Sequence, residues 1–193
     1  MSDTKTTTKE ARHKRAMEKQ KAAVDSSIEA ADIERGVALL LTGDGKGKSS
    51  SAFGMVLRAM GYGMKVGVVQ FIKGEQLSGE ELYLRDRFDK SDFYQMGTGF
   101  TWDTQDRSND IAAAKRTWVE AERMLSDASY DLVILDELTY MIAFSYLEEK
   151  QILDAIKSRP TEQSVVVTGR GGGSALRDIM DTVSEVKDVK HAF

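Results

Sequence analysis

The sequence predicts an α/β domain, with a mostly parallel sheet covered by helices on both faces, and three observations carry that prediction. Short runs such as VALLLT (37–42), VGVVQFI (66–72), LVIL (132–135) and SVVVT (164–168) are apolar throughout instead of alternating, as strands buried on both faces must be. Segments of helical period lie between these runs, giving the strand–helix alternation of parallel crossovers. Glycine-rich and polar clusters follow the apolar runs, where an open parallel sheet gathers its ligands at the carboxyl ends of its strands.

Taken in order, residues 1–9 (MSDTKTTTK) are polar and read as a loose terminus. Helix formers run from Glu10 to Ala31, with Met17, Val24, Ile28 and Ala31 on one face. Lys9–Lys21 holds six Lys/Arg against two Glu, net +4, which fits either a solvated helix face or an arm covering an anionic ligand. The chain therefore divides into residues 1–36, a flexible N-terminus and helical arm, and residues 37–193, the α/β domain. VALLLT is its first strand, and KSSSAFGMVLRAMGYG sets Phe53, Val56, Leu57 and Met60 at helical spacing before a glycine-flanked turn. VGVVQFI is a buried strand, GEELYLRDRF a short helix, and DFYQM (92–96) a further strand candidate. GTGFTWDTQDRSND (97–110) lacks periodicity and reads as a loop. Ser108 or Asn109 is placed to cap the helix IAAAKRTWVEAERMLSD, whose inward positions are Ile111, Ala114, Trp118, Ala121, Met124 and Leu125. LVILDE is a strand, YLEEKQILDAIKSR a helix stopped by Pro160, and SVVVTGR a strand entering a glycine-rich loop. A short helix and a final strand or tail complete the chain.

Composition narrows the chemistry. With 193 residues, 41% hydrophobic and 30% charged, the chain fits a globular protein with one principal core. A formal charge of -4 provides no general attraction to nucleic acid or anionic lipid, so neither is an expected partner. Cysteine is absent, which excludes thiolate nucleophiles and thiolate metal sites, and His13 and His191 are poorly placed to share a zinc ion. No apolar stretch reaches the roughly 20 residues of a membrane helix, and MSDTKTTTKE is too polar for a secretory signal, so a cytoplasmic location is expected.

LLLTGDGKGKSSSAFG (39–54) is close to the phosphate-cradling pattern GxxxxGK[ST], except that Thr42 stands at its first glycine position. Gly43, Gly45 and Gly47 permit turn conformations and exposed N–H groups, while Lys48 and a helix N-terminus add positive potential. Lys46 contributes a second charge. Ser49 offers a hydroxyl to a magnesium ion, and Asp136 and Glu137 follow LVIL where carboxylates hold such an ion; a helix cap is the alternative reading of the acid pair. Arg170 stands on the same rim as a candidate phosphate contact. Phe100 and Trp102 are either opposite walls of a broad apolar pocket or members of the core.

Together TGDGKGKSSSAFG, GVVQFIKG, MGTGFTWDTQ, VILDELTYM, VVVTGRG and DTVSEVKDVKHAF resemble the P-loop-containing ATP:corrinoid adenosyltransferases of the cobalamin-biosynthesis type, over nearly the entire chain. The resemblance implies a P-loop NTPase-like (RecA-like) fold and transfer of the 5′-deoxyadenosyl group of Mg-ATP to the cobalt(I) of a corrinoid, cob(I)alamin or cobinamide-like, with release of triphosphate. It implies Mg2+, with Mn2+ as a substitute, a flavin-protein reductant such as flavodoxin, and a homodimer whose N-terminal helix helps close the site. Thr42, Gly43, Asp44, Gly45, Lys46, Gly47, Lys48, Ser49, Ser50 and Arg170 would hold the nucleotide, and Ser49, Asp136 and Glu137 the metal. Lys48, Phe100, Trp102, Glu137 and Arg170 would be catalytic, the two aromatics by crowding the lower corrinoid face and displacing its axial base. Three departures stand out: Asp44 replaces the usual Asn, Ser49-Ser50 the usual Thr-Thr, and the sequence stops at HAF193, where relatives continue. A P-loop ATPase or small-molecule kinase, or a non-catalytic nucleotide- or corrinoid-binding regulator, is the alternative reading of the same loop.

Overall fold

The computed structural model describes residues 3–31, 33–72, 79–87, 92–97 and 107–190. It contains two compact units, Met1–Glu34 and Arg35–Phe193.

The first unit is one helix, α1 (Asp3–Glu29), 27 residues long. It opens seven residues before Glu10, so the segment expected to be loose continues the helix. Neither glycine nor proline interrupts it, and extending an existing helix costs each residue far less than nucleating one. Along its surface Lys21 donates to Asp25 Oδ2 at 2.8 Å, an i,i+4 pair. The apolar stripe is exposed, with Met17 at 46%, Val24 at 50% and Ile28 at 66%, so α1 carries no core of its own.

The second unit is built on six strands, β1 (Ala38–Thr42), β2 (Val66–Gln70), β3 (Phe93–Gln95), β4 (Leu132–Asp136), β5 (Ser164–Thr168) and β6 (Thr182–Glu185). They form one sheet in the order β3-β2-β4-β5-β1-β6. Every pairing is parallel, as the apolar runs require. The helices are α2 (Lys48–Gly61), α3 (Gly79–Arg85), α4 (Arg107–Ser126), α5 (Thr139–Ala143), α6 (Glu149–Ser158) and α7 (Gly173–Asp178).

Successive strand residues alternate between two apolar layers. In β4, Val133 and Leu135 join Trp118, Met124, Ile152 and Ile156. Leu132 and Ile134 join Phe53, Val56 and Leu84 on the other face. Burying both faces of β1, β2, β4 and β5 supplies the main driving force, of order 2 kcal/mol for each large aliphatic side chain, whereas the edge strand β3 is half-buried and β6 is exposed. The inward face of α4 follows the expected spacing, except that Ile111 is half-buried while Ala113 and Thr117 are buried as well.

Three local expectations shift. Ser108 and Asn109 lie inside the first turn of α4, which opens at Arg107, instead of capping it. The helix before Pro160 is shorter than expected, Glu149–Ser158. The one-turn helix α5 was not foreseen. It stands directly behind Glu137, whose φ of 60° turns the chain sharply at the strand end.

Candidate active site

Because all six strands run the same way, their carboxyl ends meet on one rim. Thr42 ends β1, Gln70 ends β2, Asp136 ends β4 and Thr168 ends β5, and all four side chains are buried. Burial of polar groups is tolerable only when they are paired, and most of this row is. Thr168 Oγ1 donates to Asp136 Oδ1 at 2.7 Å and Gln70 Nε2 donates to Asp136 Oδ2 at 3.0 Å. The Asp136 carboxylate, 3% exposed, accepts one side-chain bond on each oxygen, so the metal-ligand role expected of it from sequence would share those oxygens with Thr168 and Gln70.

Its neighbour differs. Glu137 adopts a left-handed backbone that residues with a Cβ avoid at a cost of roughly 1–2 kcal/mol. Thr168 stabilises the turn by accepting the Glu137 N–H at 2.9 Å. The side chain is left with a buried Oε2 that has no hydrogen-bond partner among the described residues. Burial above all, and then the Asp136 charge, push this carboxyl up to about 7, against the opposing pull of Lys48, Arg170 and Lys46. A strained, desolvated acid facing cations is a functional-site signature.

Gly43–Gly47 passes from β1 to α2, with Gly47 at φ 112° as the N-terminal cap and no side-chain cap. The first-turn N–H groups of α2 thus point at the rim without an intrahelical acceptor. Lys48, 7% exposed, donates to Gly45 O at 2.8 Å. Burial lowers its pKa, and the Glu137 charge opposes that shift. Ser49 is half-buried beside it, whereas Lys46 and Asp44 are exposed. The negative charge of Asp44 acts on Lys48 and Tyr140.

Several assignments made from sequence change. Gly45 N–H is occupied, donating to Val186 O at 2.8 Å. A Cβ on Gly43 would lie 2.4 Å from Val186 O, and one on Gly45 2.7 Å from the Lys187 carbonyl. These two glycines are required by the passage of the chain leaving β6, and not by phosphate alone. The Thr42 hydroxyl donates to Gly171 O at 2.8 Å, and Ser50 Oγ donates to Glu80 Oε1 at 3.2 Å, so neither is aimed solely at an anion. Arg170 is exposed on the glycine-rich loop after β5, and its charge acts on Glu137, Lys48 and Tyr140. The structure thus brings the loop residues Asp44, Lys46 and Lys48 within electrostatic reach of Glu137 and Arg170, with Asp136 next to Glu137 in the chain. Phe100, Trp102 and His191 lie outside the described residues.

Sequence reading passed over Gln70 and Thr139. Gln70 was visible as the one polar residue of VGVVQ, placed at its carboxyl end. Thr139, which donates to Arg170 O at 2.9 Å, carried no signal of its own.

The donor set is wholly oxygen, which suits a hard divalent cation such as magnesium. The orphaned Glu137 Oε2 fits one. Among the described residues no group of three or more His, Cys, Asp or Glu could cage a metal alone, so the remaining ligands would be phosphate oxygens and water. Among the same residues no helix is long and apolar enough to cross a membrane.

A phosphate-type loop facing an acid pair at the end of a central parallel strand is shared by many nucleotide enzymes, and comparison with known proteins narrows the field. The family described as ATP:corrinoid adenosyltransferase BtuR/CobO/CobP matches residues 34–193. A corrinoid adenosyltransferase of Pseudomonas aeruginosa is 52% identical, with 96% of this chain and 91% of that protein covered. The corrinoid adenosyltransferase of Escherichia coli K12 is 47% identical, covering 94% and 92%. The Salmonella typhimurium corrinoid adenosyltransferase CobA is 46% identical, again covering 94% and 92%. With the family match spanning the whole α/β unit, site included, the chain belongs to the ATP:corrinoid adenosyltransferases.

Proposed function

We propose that this enzyme carries the 5′-deoxyadenosyl group of Mg-ATP to the cobalt(I) of a corrinoid, with the triphosphate as leaving group. The observation that carries the detailed reading is the orphaned Glu137 carboxylate facing Lys48 beside the phosphate-type loop. Cobalt(I) is its own nucleophile: its electron pair forms the Co–C5′ bond while the C5′–O bond breaks and its electrons leave with triphosphate. No protein nucleophile or strong base is needed, consistent with a chain that has no cysteine.

The chain's own residues therefore bind, orient and shield. Lys48, Lys46, Arg170 and the α2 N-terminus neutralise the developing charge on the leaving oxygens. Glu137 and Ser49 hold the divalent ion, Mg2+ or in its place Mn2+, with Asp136 bracing the turn; when bound, that ion shares the triphosphate charge. Gly43, Gly45 and Gly47 let the backbone pass closely enough to form the cradle. Asp44, exposed in the loop, places its charge against that of Lys48. Phe100 and Trp102, by resemblance to the family, crowd the lower corrinoid face, which displaces the axial base and eases reduction to cobalt(I). A flavin protein such as flavodoxin as reductant, a homodimer and a cytoplasmic setting complete the reading.

The test mixes protein, Mg-ATP, a corrinoid and a strong reductant under confirmed cobalt(I). The expected result is a light-sensitive alkyl-corrinoid spectrum and one inorganic triphosphate per adenosyl group. ADP with phosphate, or a phosphorylated acceptor, would make the protein a conventional ATPase or kinase. Stoichiometric binding without turnover would make it a regulator.

A further inference from the structure

The loop that carries Arg170 has little conformational preference of its own. Gly169, Gly171, Gly172 and Gly173 all have positive φ, at 139°, 80°, 105° and 69°. Arg170 sits between glycines, on a backbone that side-chain sterics do not restrain. An arginine on such a stretch reaches a defined point only if the loop is held from outside.

Two buried threonines hold it. Thr42 Oγ1 donates to Gly171 O at 2.8 Å, and Thr139 Oγ1 donates to Arg170 O at 2.9 Å. Both side chains are 0% exposed. Consecutive carbonyls of one loop are thus bonded from two different elements: the end of β1, immediately before the phosphate loop, and the turn two residues beyond Glu137. Thr139 fits closely, since a Cβ on Gly169 would lie 2.0 Å from its Oγ1 and one on Gly172 3.3 Å from its Cγ2. A third tie joins the same parts, because Thr168 Oγ1 accepts the Glu137 N–H while donating to Asp136.

We propose that Thr42 and Thr139 are positioning residues, whose hydroxyls latch the glycine loop between the phosphate loop and the Glu137 turn and so set Arg170 against the leaving triphosphate. The proposal rests on the reading of Arg170 as a triphosphate contact. It also gives a role to the threonine standing where the general phosphate-loop pattern has glycine. Glycine there has no hydroxyl, and the Arg170 loop would lose one of its two latches. Preordering the loop removes the entropy that would otherwise be lost when Arg170 engages its ligand.

The experiment uses the full chain. Thr139→Val and Thr42→Val keep the shape and remove the donor, while Thr139→Ser and Thr42→Ser keep the donor. Dissociation constants for magnesium tripolyphosphate and Mg-ATP are measured by calorimetry, and KM for ATP and for corrinoid by transfer assay; thermal melts confirm folding. Each valine variant is expected to weaken tripolyphosphate binding about tenfold, the effect of losing one buried hydrogen bond, and to raise KM for ATP alike. KM for corrinoid stays unchanged, and the serine variants bind within about twofold of the parent.

Arg170→Ala then separates a latch from mere packing. It should weaken binding about tenfold in the parent but less than about threefold in the Thr139→Val background, because coupled residues are not additive. An equal loss in both backgrounds, unchanged binding in the valine variants, or serine variants as weak as valine would overturn the proposal. Unchanged binding by Arg170→Ala in the parent would overturn it through the Arg170 assignment. Failure of the transfer reading shows separately, as absence of triphosphate from the parent enzyme.

Discussion

Glu137→Gln should make the metal-free protein more stable at pH 8 while abolishing metal-dependent nucleotide binding. Burial and Asp136 hold the Glu137 carboxyl at about 7, against about 4.3 in an unfolded chain. At about 1.4 kcal/mol for each tenfold in proton affinity, ionising it in the folded state costs roughly 3–4 kcal/mol. The sign follows from proton counting. Between the two values the folded protein binds more protons than the unfolded one, so this group's contribution to stability is fully present below about pH 4, falls between about pH 4 and 7, and is lost above. Glutamine removes that loss. In EDTA, denaturant titrations of parent and Glu137→Gln should nearly coincide at about pH 4 and separate by about 3–4 kcal/mol at pH 8. Magnesium with tripolyphosphate should stabilise the parent at pH 8 and leave the variant unmoved. A stability difference independent of pH would refute the desolvated-acid account, and a destabilised variant at pH 8 would refute it outright.

Three further outcomes follow, the part that concerns Phe100 and Trp102 from the resemblance to the family and the rest from the structure. Gly45→Ala must push its Cβ off the Lys187 carbonyl, 2.7 Å away, and threatens the Gly45–Val186 bond; a cost of roughly 2–4 kcal/mol should lower Tm by about 5–15 °C in a thermal melt, and an unchanged Tm would contradict the close passage. Lys48→Ala should abolish measurable triphosphate binding by calorimetry, whereas Phe100→Ala and Trp102→Ala should impair cobalt reduction, followed spectroscopically, more than ATP affinity; equal loss of ATP affinity would contradict that division. Arg35, bonded through Nη1 to Asp181 Oδ2 at 3.0 Å, and the Ala38 N–H hold the Asp181 carboxyl below its ordinary range. Its stabilising effect is present above about pH 4 and fades as pH falls through the lowered value, so Asp181→Asn should flatten the acid limb of a pH–stability curve, and a parallel curve would discount the pair.

The strands were legible because their signal is local. LVIL and SVVVT are apolar on both faces, and parallel pairing demands both. Lys48, Glu137 and Arg170 were legible for a related reason: each follows an apolar run, and parallel strands gather those ends on one rim. What stayed hidden was non-local or too short. TYMIA supplies one helical turn, less than a periodic pattern needs, and begins because Glu137 turns left-handed under the Thr168 hydroxyl. Gly45 read as a phosphate donor because spacing shows a glycine's freedom and not its partner; Val186, which takes its N–H, lies at the far end of the sequence. Thr139 escaped because a hydrogen bond to the carbonyl of a distant loop leaves no pattern in its own segment, whereas Gln70 stood out as the polar end of an apolar run and only its partner Asp136 was hidden.

The occupied Gly45 N–H bears on what the loop is built to do. Glu185–Lys187 closes one side of it, through Gly45 N–H to Val186 O and Val186 N–H to Thr42 O, each at 2.8 Å. Near the same loop stand Lys48, Glu137 and Arg170, whose charges act on one another. An enzyme that attacks phosphorus must place a nucleophile in line with its leaving oxygen and complete the constellation by motion. On the proposed reading the attack falls on carbon, and the triphosphate only departs. Such a site needs its charge neutralised in a fixed cradle and needs no group to activate water. A loop pinned along one edge by its own chain, with Arg170 latched by two threonines, meets that requirement. Thr42, where the general pattern has glycine, belongs to the pinning.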